Sequence, residues 1–100
     1  MFEKLISTLM ASRDQAHIFH WQTKGPGSFA AHMALNAYYD AIPGLVDALV
    51  ESYQGKNGII HDYTNFNLNQ YQSKEQVIAY FEVLCEATYQ TYEIVEDSYL

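Results

Sequence analysis

The chain predicts an all-α bundle of three long helices, with a long crossover between the second and third and no fourth helix within its 100 residues. Three observations predict it. Apolar residues recur at three- and four-residue steps through most of the chain. The strong helix breakers gather in two places, KGPGS at 24–28 and the Asn-, Gly- and Gln-rich stretch 55–72. The composition is 49% hydrophobic, which suits a globular core, and the length suits one domain over residues 1–100.

The first helix is expected from Phe2 to Lys24, with Phe2, Leu5, Ile6, Leu9, Ala16 and His20 on one apolar stripe. Gly25 and Pro26 end it. The second helix is expected from Ser28, as N-cap, to about Gly55. Pro43 and Gly44 interrupt it. The apolar face of Ala37–Ile42 continues compatibly into Leu45–Tyr53, which favours one kinked helix over two separate ones. Residues 55–72 read as the crossover, with one short helical turn near Ile60–Tyr63. The third helix starts at SKEQ, where Ser73 and Gln76 have capping-box spacing. Val77, Phe81, Leu84, Cys85, Thr88, Tyr92, Val95 and Tyr99 then keep helical period.

The formal net charge is −7, and no Lys or Arg follows Lys74. An acidic chain without a lysine-rich arm repels phosphate backbones, so nucleic-acid binding is expected to be weak or absent. The single Cys85 cannot make an internal disulfide and fits a reducing compartment, hence the cytoplasm; its apolar neighbours predict a buried thiol. No signal peptide or membrane span is expected, because Glu3, Lys4, Arg13 and Asp14 interrupt the first apolar stretch.

The chemistry concentrates in HIFHWQTKGPGSFAAHM, residues 17–33, which holds three of the four histidines and the only tryptophan. Downstream, His32 and Asn36 are four apart, Asp47 and Glu51 are four apart, and eleven residues separate Asn36 from Asp47. All four therefore share one side of the second helix. His32 and Asp47 are fifteen residues apart, about 22 Å along a helix, so no single ion touches both. A shared site requires a second copy running antiparallel across a two-fold axis, which makes two identical sites. The expected shell is His20 and His32 from one subunit with Asp47 and Glu51 from its partner. Imidazole with carboxylate suits iron, zinc or manganese, and open positions for water, oxygen or peroxide suit iron. Taken singly, a His on an apolar face is more often a packed core residue and an Asp-x-x-x-Glu more often a solvated pair. No Glu-x-x-His motif of a self-contained di-iron bundle is present.

His20-Trp21, Gly25-Pro26, His32, Tyr39, Asp47 and Glu51 stand in an order and spacing that resemble the signature of the Dps family, the ferritin-like miniferritins of starved bacteria. The likeness covers residues 16–52; the short length also resembles small Dps-like proteins of bacteriophages. The resemblance implies a ferritin-like fold, a two-fold dimer, a hollow dodecamer and a ferroxidase that oxidises Fe(II) to Fe(III) with hydrogen peroxide or oxygen. It implies iron storage and protection from oxidative stress. Carried over, His20 and His32 bind iron from one side and Asp47 and Glu51 from the other. Trp21 stands beside the site as an electron donor, and Asn36 and His17 are candidates for the surrounding shell. Three departures stand out: Asn36 replaces a third acidic ligand, Pro43 lies at the expected dimer axis, and the fourth helix is missing. They motivate a second reading, a helical assembly module that kept the dimer and lost catalysis. His61 is expected at the surface, and the nine tyrosines mainly in packing.

Overall fold

The computed structural model describes the backbone of residues 2–99 and the side chains of residues 2–93. Three α-helices follow one another: α1 over Phe2–Gln22, α2 over Ser28–Asn57 and α3 over Lys74–Tyr99. The described residues hold no strand. The molecule is a rod of 47 × 21 × 19 Å. Its long axis matches the 30-residue α2, about 45 Å at 1.5 Å per residue.

α1 is the central element, with ten of its residues buried against two on the longer α2. Phe2, Leu5, Ile6, Leu9, Ala16 and His20 are all buried, as their spacing predicts. Leu5 and Leu9 meet Ile42 of α2 and Leu84 of α3 in one cluster. Ala16 and Phe19 meet Leu35 in another, and Tyr38, Tyr80 and Phe81 pack against both.

α1 and α2 are joined by a tight glycine turn. Gly25 and Gly27 have φ of 93° and 80°, a left-handed backbone that a side chain would strain. Gly27, not Ser28, is the N-cap of α2, and no side chain caps it. The expected Ser28 cap fails because the first helical bond runs from the Ala31 amide to the Gly27 carbonyl at 3.1 Å, which puts Ser28 inside the first turn. α2 runs unbroken through Pro43, which lies on its exposed side. There a missing amide costs least. The helix ends at Gly58, whose φ of 87° turns the chain while its amide bonds the Gln54 carbonyl at 2.9 Å.

The crossover 58–73 has no helical turn; the one expected near Ile60–Tyr63 does not form. Side chains of α1 satisfy its backbone instead. Gln15, fully buried, donates to the Asn69 carbonyl at 2.9 Å and accepts from the Asn69 amide at 2.7 Å. Ser7 accepts from the Thr64 amide, and Gln22 from the Tyr71 amide. A strand edge is thus imitated by one face of a helix, and the crossover needs no secondary structure of its own.

α3 begins as its capping box predicts on one side only. Ser73 Oγ accepts from the Gln76 amide at 3.1 Å, while the Gln76 side chain takes the Gln72 amide. Leu84 is buried, but Cys85 and Tyr92 are exposed rather than buried. α3 meets the rest of the rod along a narrow line, so the flanks of its apolar stripe face outward. Val95 and Tyr99 of that stripe lie outside the described side chains. Burial raises the Tyr38 phenol above its usual range and pushes that of Tyr80 up to about 12.

Candidate metal centre

The tight turn brings the end of α1 back beside the start of α2 and sets His20 against His32. Their rings stack with centroids 3.5 Å apart and planes 24° from parallel. The Nδ1–H of His20 donates to the His32 carbonyl at 2.8 Å. The Nδ1–H of His32 donates to the His20 carbonyl at 3.0 Å. A carbonyl oxygen only accepts, so each ring carries its proton on Nδ1. Each Nε2 is then left with a lone pair, the tautomer that metal-binding histidines need.

A polar chain runs from this pair along α2. His20 Nε2 lies 3.5 Å from the Tyr39 hydroxyl, at the limit of a hydrogen bond. The hydroxyl hydrogen goes instead to Asn36 Oδ1 at 2.6 Å, and Asn36 Nδ2 donates to Asp40 at 3.0 Å. Asn36 therefore spends its oxygen on Tyr39. Beside them stands a column of rings, in which His17 stacks on Trp21 at 4.0 Å and on Tyr39 at 4.1 Å between centroids. His17 packs, as expected, yet its packing links Trp21 to the site. His61 is exposed, as expected.

Asp47 and Glu51 lie on the exposed side of α2, and among the described residues neither takes a hydrogen bond or an ion pair. Within one chain the described residues gather no group of three or more His, Cys, Asp or Glu able to hold a metal ion. One subunit thus brings His20 and His32 together and keeps Asp47 about 22 Å and Glu51 about 28 Å from His32 along the helix.

Sequence reasoning missed two features. Asp40 is a carboxylate at the end of the Asn36 chain; its signal was the four-residue step from Asn36. The reciprocal bonds between the histidines and each other's carbonyls had no sequence signal, because they depend on the turn's geometry.

A family model matches residues 20–99, and its description reads "Family of unknown function (DUF5856)". The chain belongs to DUF5856. The DUF5856 match starts at His20, so it takes in His20, His32, Asn36, Asp47 and Glu51 and leaves out His17. No curated protein and no solved structure matches the chain. Among the described residues, no helix is long and apolar enough to cross a membrane.

Proposed function

We propose that this DUF5856 protein binds and oxidises Fe(II), using hydrogen peroxide or oxygen, at a site shared by two antiparallel copies in a ferritin-like arrangement. The observation that carries the reading is the reciprocal bonding of His20 and His32. Both rings are fixed in orientation and tautomer, with Nε2 left as the free donor. Asp47 and Glu51 supply the charge, from the partner. The donor set fits: imidazole and carboxylate together suit ferrous ion, and zinc or manganese as substitutes.

The stacking supports two ions per site over one. Lone pairs lie in the ring planes, and rings stacked with centroids 3.5 Å apart and planes only 24° from parallel aim them along separate lines. Each histidine addresses its own ion, so the reading takes two ferrous ions side by side. The chain's residues then bind and orient. The histidines would fix the two positions, the partner's carboxylates would neutralise the ions' charge, and the Tyr39 hydroxyl, held by Asn36, lies 3.5 Å from His20 Nε2. Storage of the ferric product requires dimers to close into a hollow shell, which sedimentation of the iron-loaded protein reads directly. With a net charge of −7, DNA is not a partner in this reading.

The test is anaerobic Fe(II) oxidation by stoichiometric hydrogen peroxide, comparing the wild type with Asp47→Asn. Fast oxidation in the wild type and background in the variant support the site. Background in both favours the assembly module, which Asn36 motivates: it is neutral and its oxygen is occupied by Tyr39.

A further inference from the structure

The side of the α1–α2 hairpin that carries the ring column continues into a groove. On α1, Met10, Asp14, His17 and Trp21 recur at steps of four, three and four and form one stripe. On α2, Tyr39, Pro43, Val46 and Val50 do the same. His17, Trp21 and Tyr39 build the column at one end of this side. At the other end Met10, Asp14, Pro43, Val46, Asp47 and Val50 line a groove of about 790 Å³, closed on its far flank by the crossover. One end of the surface therefore projects and the other is hollow. The projecting part is apolar and open to solvent: Trp21 is 68% exposed, and Phe29 beside the turn 76%. Single exposed apolar residues are ordinary, but an indole and a matching hollow on one face are a complementary pair.

The antiparallel pairing in the proposed function sets where the projection goes. Joining His32 to the 47–51 pair of another copy puts the two-fold axis near Asp40 and Ala41. His20 is level with His32, so the Trp21 indole, stacked back on His17, is level with about residue 35 of α2. Rotation about the axis carries that level to about residue 46, at the middle of the groove. The groove's rim is of mixed charge, with Asp14 paired to Arg13 at 3.8 Å and Asp47 beside them, so an uncharged indole enters without meeting a field of one sign.

We propose that this groove seats the partner's Trp21, and that by symmetry Trp21 fills the partner's groove in return. The proposal rests on the orientation above, but the groove and the column stand without any metal. The seat also places the indole against Asp47, so docking and assembly of the shared site are one event.

Trp21 is the only tryptophan, so its emission reports the seat directly. The experiment is sedimentation of the full chain over a concentration series, with and without Zn(II) as a redox-silent ion, while indole emission is recorded. A dimer whose emission moves to the blue as it forms is the expected result. Trp21→Ala should weaken the dimer about 30-fold or more, the scale of an interface anchor. Met10→Arg fills the groove from an exposed position and should return the emission to that of a solvated indole, with helicity unchanged by circular dichroism. A dimer with solvated emission, or a blue shift that survives Met10→Arg, overturns the seat and leaves the shared metal site standing. A monomer at every concentration, with and without Zn(II), overturns both.

Discussion

At its N-terminal end α2 presents His32, Asn36 and Tyr39, each bonded within the chain. Three turns further on it presents Asp47 and Glu51, which among the described residues bond to nothing. The same helix thus holds one group of polar residues rigidly and another only by its backbone. The histidine end is preorganised by its own fold, because each Nδ1–H is satisfied by a carbonyl. The acidic end stays hydrated, which is the inexpensive state of two like charges one turn apart. The difference is one of fixation: an imidazole pair held by the chain's own carbonyls, and a charged pair held by nothing but its helix; in the proposed function these are the two half-sites.

The sharpest way to break that comparison is to remove charge from the hydrated end. Asp47→Asn should lower the peroxide-driven Fe(II) oxidation rate at least tenfold, with helicity and melting temperature unchanged. A rate within twofold of the wild type would mean the acidic end is only a solvated face.

Stability should respond the other way round. His20→Ala removes a buried ring and its bond to the His32 carbonyl, a loss of about 2–4 kcal/mol. Glu51→Ala is a surface change and should stay within about 0.5 kcal/mol. Urea unfolding of both variants reads the contrast, and equal losses would show that neither end is preorganised.

A third substitution makes the two ends more alike. Asn36→Asp adds a carboxylate one hydroxyl away from His20 Nε2 and should tighten Zn(II) binding about tenfold in calorimetry. It also sets like charges at residues 36 and 40, costing about 0.5 kcal/mol, which Asp40→Asn should recover. Unchanged affinity would place residue 36 too far from the rings to help an ion.

Much of this was legible in the sequence, and the particular residues show why. The α1 stripe from Phe2 to His20 is strictly helical in period and is buried throughout, because α1 is enclosed by α2, α3 and the crossover. The same reasoning failed for Cys85 and Tyr92, since α3 touches the rod along one line and period alone does not give the width of a contact. Pro43 left two outcomes open; its place on the exposed side of α2 decided for one helix. The spacing of His20, His32, Asp47 and Glu51 carried the separation of the histidine pair from the acidic pair, because helical rise converts residue numbers into distance. The stacking of the two histidines, the role of Asn36 and the groove were not legible. Each depends on side chains from different segments meeting across a turn.

The smallest predicted effect concerns the packing under the histidine end, where Tyr80 touches Phe19 with ring centroids 5.8 Å apart. Phe19 is fully buried one residue before His20, so Tyr80 helps hold the end that the metal reading needs rigid. Its phenol is neutral when protonated, and burial pushes the folded-state value up to about 12, with Tyr38 adding to the rise. In the unfolded chain it titrates near 10. Below about pH 10 both states keep the proton and the ring's contribution is intact. Above that the unfolded chain loses its proton first and is favoured, so stability falls as pH rises from about 10 through about 12. The ring is only partly buried, so solvent screening reduces the slope well below the full linkage value. Melting temperatures between pH 8 and 12 should decline less steeply in Tyr80→Phe than in the wild type, by about 2 °C at the alkaline end. An identical decline in both would mean the phenol is as hydrated in the fold as in the free chain. The rigidity of the histidine end would then rest on the turn and the reciprocal carbonyl bonds alone.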